Sequence, residues 1–192
     1  MAQGNSSSVI VIKDESPSLL PIGRPTKFVV SVSLNKSSTK AFLDALRLSR
    51  PGDEIHVVYI KGFMEKVDSD YTAQVREKYT AFFSGLKDGD EQVFSKFHDR
   101  VTEFVLLSKR QRETTAESVV RYADSIDADF IVVGANAADR VSRGKDPVGA
   151  VSMQICLETT RNFIVANWID TTPAVYEAHV RRASTPQTGY RP

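Results

Sequence analysis

Residues 129–152 read Asp129-Phe-Ile-Val-Val-Gly-Ala-Asn-Ala-Ala-Asp-Arg-Val-Ser-Arg-Gly-Lys-Asp-Pro-Val-Gly-Ala-Val-Ser152. Phe130 to Val133 form a short, wholly apolar run rich in β-branched side chains, the pattern of a strand buried on both faces. Gly134 stops it. A polar loop follows, then Asp146-Pro147, and then an apolar run from Val148 to Leu157. Aspartate before proline reads as an N-cap followed by the first helical position. The stretch is therefore strand, loop, helix. In a parallel sheet such a loop lies at the carboxyl ends of the strands, where ligands bind. A helix start there presents free amides and a favourable dipole to an anion. Many such corners bind nothing, so the pattern alone decides the fold and leaves the ligand open.

The same alternation extends on both sides. Lys27 to Leu34 is an earlier strand, followed by a polar turn at Asn35 and a helix with Ala41, Phe42, Ala45 and Leu46 on one face. Glu54 to Ile60 is the next strand. Val75, Tyr79, Phe82, Phe83 and Leu86 predict a helix over 69–86. Asp88-Gly89-Asp90 reads as a break, with one helix or two open over 62–100. Val101 to Leu107 is the third strand. Thr114 to Glu117 is a capping box opening a helix that runs to Ile126. The helix after Pro147 reaches Thr160, and Asn162 to Trp168 is the last strand. Strands alternating with helices predict an α/β fold: an open, doubly wound, parallel five-stranded sheet flanked by helices, a Rossmann-like three-layer sandwich. Residues 27–168 form this domain. Residues 1–26, rich in Ser and Pro, read as a partly disordered extension in which Val9 to Ile12 is either a short strand or an apolar clip. Residues 169–192 read as a tail with one short helix after Thr172-Pro173.

Composition narrows the function. A chain of 192 residues with net charge +1 offers no overall basic surface, so no nucleic-acid partner is expected. No apolar run is long enough to cross a membrane. The start lacks a secretory signal, and the single Cys156 makes no internal disulfide; together these predict a cytoplasmic protein. Cys156 reads as an inert thiol on a helix. Gly144-Lys145 is followed by Asp146 rather than Ser or Thr, so the lysine phosphate loop is absent. No dinucleotide glycine fingerprint, serine nucleophile elbow or zinc motif occurs, and no metal is expected. His56, His98 and His179 have no nucleophile or carboxylate placed beside them by spacing, so no catalytic residue is assigned. Arg140, Arg143 and Lys145 are either a phosphate clamp at the mouth of the sheet or charges on a solvated loop. Lys109, Arg110 and Arg112 follow what reads as a neighbouring strand and would strengthen the clamp.

The order of elements resembles the universal stress protein family, as do Ala-Asp-Phe-Ile-Val-Val-Gly at 128–134, Gly-Ala-Val-Ser at 149–152 and Asn-Phe-Ile-Val-Ala-Asn at 162–167. Members that bind ATP carry Gly, two residues, Gly, nine residues, then Gly with Ser or Thr, and an Asp ending the first strand. By that resemblance Gly134 and Gly149 match, as do Val151 and Ser152, and Val57 matches a valine whose backbone faces the adenine. Ala137 replaces the second glycine, Ala150 the hydroxyl residue and Ser33 the aspartate. The spacer from Ala138 to Val148 is two residues longer. Each lost contact costs roughly 1 kcal/mol or more, so three together weaken binding about a hundredfold.

The resemblance thus implies a non-enzymatic, dimeric stress-response regulator that contacts a further protein. Its ATP or AMP binding would be weak, altered or lost, and no cofactor is certain. A true nucleotide switch using the basic loop 139–145 is the alternative, and a slow ATP hydrolase the second alternative. Family members dimerise through the last strand, which places Phe163, Val165 and Trp168 at a homodimer interface. Arg181-Arg182-Ala183-Ser184 resembles a basophilic kinase site, making Ser184 a candidate phosphosite.

Overall fold

The computed structural model describes residues 8–13, 23–62, 70–83, 101–135 and 148–167. Six strands form one sheet: β1 (Ser8–Val11), β2 (Lys27–Ser31), β3 (Glu54–Lys61), β4 (Val101–Ser108), β5 (Phe130–Ala135) and β6 (Asn162–Asn167). Four helices flank it: α1 (Lys36–Leu48), α2 (Asp70–Phe83), α3 (Thr115–Ser125) and α4 (Ala150–Glu158). The strand order is β1-β6-β5-β2-β3-β4. Strands β2 to β6 are parallel to one another, with Val132 opposite Val30 on one side and Ile164 on the other.

The expected five-stranded parallel core is present, and one strand is added. Val9 to Val11, left open as strand or clip, belongs to β1, which pairs antiparallel with β6 from Ser8↔Ala166 to Val11↔Phe163. A four-residue apolar run carries too little pattern to separate the two readings; the unpaired edge of β6 decides, because its backbone groups gain partners.

Alternation along the strands builds two cores. Phe28, Val30, Val57, Tyr59, Val132 and Ile164 face α1 and α2, and meet Ala41, Phe42, Ala45, Val75 and Tyr79. Val29, Val58, Ile131, Val133 and Phe163 face α3 and α4, and meet Ala116, Val119, Ala123 and Ile155. Phe42, on the expected helix face, is fully buried and meets Tyr79 edge to face at 5.6 Å. Burial of a side chain that size stabilises by about 1.5–3 kcal/mol. Tyr79 is thus a core residue, as its helical spacing implies. Helix α2 confirms the first part of the 69–86 expectation. The break at 88–90, His98, His179 and the tail helix lie outside the described residues.

The amino end of the sheet is closed by short polar ties. Asp53 Oδ1 accepts from Thr26 N at 2.8 Å, and Asp129 Oδ2 from Lys27 N at 2.9 Å. Arg24 holds Asp129 in a bidentate pair, at 3.0 and 2.7 Å.

Candidate functional site

The chain leaves β2 toward β3 and leaves β5 toward β6, in opposite directions across the sheet. The carboxyl ends of β2 and β5 therefore flank a topological switch point, the position at which open α/β sheets bind ligands. Near those ends lie the β2–α1 turn, the end of β5 and the start of α4, with α1 and α4 on opposite faces of the sheet.

The β2–α1 turn is fastened by its own neighbours. Asn35 caps α1, its Oδ1 accepting from Ser38 N at 2.7 Å. The Ser33 hydroxyl lies 3.1 Å from the Ser38 hydroxyl and accepts from Asn35 N at 3.4 Å. From α2, Tyr79 donates its hydroxyl to the Ser33 carbonyl at 2.9 Å, and Lys78 donates to the Leu34 carbonyl at 3.2 Å. Leu34 N donates to the Tyr71 hydroxyl at 3.4 Å. Burial pushes the Tyr79 phenol up to about 12 and the Lys78 ammonium below its ordinary value. Ser33, the residue at the aspartate position, is thus engaged in holding the turn.

The two matching glycines differ in what they do. At Gly134 an added Cβ would lie 2.5 Å from the Ser37 carbonyl oxygen and 2.7 Å from Ser38 N. Its missing side chain lets the first turn of α1 pack onto the end of β5. At Gly149 an added Cβ would meet nothing within 4 Å. Gly149 is the N-cap of α4, with φ −68° and ψ 153°, and no side chain caps that helix. The amides of Ala150, Val151 and Ser152 have no intrahelical acceptor by position. Ala150 and Val151 are exposed, whereas Ser152 is buried. An uncapped helix start beside open space suits an anion. Helix α4 begins two residues later than Val148, and its cap is Gly149 rather than Asp146. The reason is the extended backbone of Gly149, which no helical residue adopts.

Other expectations are corrected by the sheet itself. Val57 lies mid-strand, opposite Val30 and Phe104, and is fully buried with ladders on both sides. Its backbone does not open on the mouth; Ile60 and Lys61 hold the carboxyl end of β3. Strand β4 is not a neighbour of β5, because β2 and β3 stand between them. Lys109, Arg110 and Arg112 therefore sit about 14 Å to one side, at the usual strand spacing. Arg110 N is bound to Glu113 Oε2 at 2.7 Å. The edge of β6 expected to receive a second subunit carries β1 instead, with Phe163 fully buried opposite Val11 and Val165 opposite Val9. Ala137, Arg140, Arg143, Lys145, Trp168 and Ser184 lie outside the described residues.

Sequence reasoning missed Asn167. It ends β6 in register with Ala135, and its Oδ1 is buried with no hydrogen-bond partner. By alternation its side chain shares the α4 face with Phe163 and Val165. An orphaned acceptor at the mouth is a place for a donor from a ligand or water. Nothing in the sequence flags it, since an asparagine ending an apolar strand is common. His56 is at the other end: its Nδ1 is 3.0 Å from the Tyr122 hydroxyl and its Nε2 3.5 Å from Glu54. Among the described residues no cluster of three or more His, Cys, Asp or Glu side chains could hold a metal. No helix among them is long and apolar enough to cross a membrane.

Strand order and the alternation of strands with helices define a doubly wound α/β protein. Sequence comparison with family models and with curated proteins found no match. Solved structures do match. A universal stress protein from Archaeoglobus fulgidus is 20% identical, covering 76% of this chain and 99% of that one, with a TM-score of 0.56. The universal stress protein UspA from Lactobacillus plantarum is 16% identical, covering 74% of this chain and 98% of that one, with a TM-score of 0.51. The chain has the universal-stress-protein fold.

Proposed function

We propose that this chain is a divergent, non-enzymatic universal-stress-protein-type regulator whose mouth binds adenine nucleotides weakly and mainly through their phosphates. The observation that carries this reading is the contrast between the two ends of the mouth. The start of α4 is uncapped and open at Gly149. The turn at Ser33 to Asn35 has its polar groups engaged by Ser38, Tyr71, Lys78 and Tyr79. A serine at the aspartate position offers a ribose at best a neutral hydrogen bond, where a carboxylate would give a charge-assisted one. The orphaned Asn167 oxygen adds an acceptor near the same mouth.

Calorimetric titration of AMP, ADP and ATP, with and without magnesium, into protein stripped of co-purified nucleotide tests this. Affinity should rise with phosphate number and stay at about 0.1 mM or weaker, two decades short of micromolar. AMP binding as tightly as ATP would contradict a phosphate-led site. Hydrolysis that depends on a single residue would establish the hydrolase alternative instead.

A further inference from the structure

Helix α4 is apolar on nearly every side: of its residues only Ser152, Gln154 and Glu158 are polar. Helices of that kind are normally buried all round. Yet α4 is buried on one side alone, where Ile155 joins the core of Val133 and Phe163. Its outer face is bare, with Leu157 77% exposed, Met153 46% and Val151 39%. Helix α3, on the same side of the sheet, has only polar residues among its exposed ones, Glu117, Asp124 and Ser125. Met153 and Leu157 stand four apart and form one stripe. A contiguous exposed apolar surface of this kind marks a place that something covers. The helix also ends on Glu158, at the negative end of its dipole, with no basic residue in the last turn.

The chain carries a segment that fits this face. Strand β6 is parallel to β5, and α4 runs back between them, so Asn167 and the first turn of α4 lie at the same end of the sheet. The sequence continues from that point. Residues 173–182, Pro-Ala-Val-Tyr-Glu-Ala-His-Val-Arg-Arg, follow the helix-start signal Thr172-Pro173. At helical spacing Val175, Tyr176 and Val180 share one side, and Glu177 and Arg181 lie opposite. A helix over 173–182 would be about 15 Å long, against about 14 Å for α4. Laid along α4 from its start, it would end with Arg182 beside Glu158.

We propose that the outer face of α4 is the seat of the chain's own residues 173–182, with Val175, Tyr176 and Val180 against Met153 and Leu157. The apolar stripe is then covered, and the arginine offsets the carboxylate at the end of α4. Residues 168–172 are the tether, and extended they reach about 17 Å, enough to pass from the end of β6 onto α4. So short a tether gives the segment a high effective concentration, which favours it over a free peptide or a second copy.

Hydrogen exchange of the full chain, read by mass spectrometry at two concentrations about fiftyfold apart, tests the proposal. Amides of 176–182 should exchange at least about tenfold more slowly than in an unfolded chain, since so short a helix is not stable alone. Met153→Lys and Leu157→Lys should each remove that protection. Leu48→Lys, at the exposed end of α1 on the opposite face, should leave it unchanged. Glu158→Arg should weaken it, and Arg182→Glu in the same chain should restore it. Thermal melting reports whether each variant is folded; if Leu157→Lys is not, Met153→Lys and the charge exchange carry the test. Unprotected amides in the wild type overturn the proposal, as does protection that survives in the folded α4 variants. Protection that appears only at the higher concentration overturns it too, and gives the face to the tail of another copy.

Discussion

Gly134 and Gly149 both fit the glycine pattern, yet the structure gives them opposite duties. A side chain at Gly134 would collide with the backbone of Ser37 and Ser38, whereas one at Gly149 has room. Gly134→Ala should therefore destabilise the protein by about 1–3 kcal/mol through overpacking. Gly149→Ser should be neutral or slightly stabilising, since serine is at least as good an N-cap. Paired urea titrations check both, and equal losses would contradict the assignment. A sequence displays the glycine but not whether the absent Cβ makes space for a helix or for a ligand. Ser33 shows the same limit: its replacement of an aspartate is plain in the chain, but its engagement with Ser38 depends on how α1 starts. The depth of Val57 is likewise invisible in the chain, because only the ladder to Val30 and Phe104 places it mid-strand.

Among the elements, α3 was the most legible. Thr114 accepts from Glu117 N at 3.1 Å and Glu117 accepts from Thr114 N at 2.6 Å, the reciprocal pair that the spacing predicts. Thr114→Ala should cost about 1 kcal/mol, measurable as a lower urea midpoint. Arg121, within this helix, grips Glu113 just before it, through Nε at 2.7 Å and Nη2 at 3.2 Å. That bidentate pair holds the Glu113 carboxyl down at about 2, below its ordinary value of 4.5. A carboxylate depressed on folding stabilises above its unfolded value and loses that contribution as pH falls toward the folded one. The stability gap between wild type and Glu113→Gln should thus be widest above about pH 4.5 and close toward pH 2. Urea midpoints across that range test it, and a gap constant with pH would contradict it. The start of α4 was read less well, because Asp-Pro is a strong cap signal and the extended backbone at Gly149 is invisible in composition. β1 was half legible for a different reason: an edge strand is defined by its neighbour, and the neighbour, Asn162–Asn167, lies near the far end of the domain in sequence.

At the level of the molecule, alternating strand and helix signals were enough for the doubly wound core, since hydrophobic period and caps are local properties. Strand order and the covering of β6 were not legible, because both depend on which distant edges meet. Order moved Lys109, Arg110 and Arg112 away from β5, and the edge of β6 is covered by β1. Near the switch point lie an uncapped helix start at Gly149, and, on the other face of the sheet, a turn whose polar groups are engaged by the chain itself. The most direct measurement is the ATP affinity of Gly149→Asp beside that of the wild type, by calorimetry on stripped protein. An aspartate cap should hold α4 at least as firmly as glycine while placing its carboxylate where a phosphate would sit. The wild type should bind ATP at about 0.1 mM or weaker, and the variant, equally stable to heat, should give no binding heat. Micromolar ATP binding by the wild type, or affinity that survives in Gly149→Asp, would contradict a weak site led by phosphate at α4.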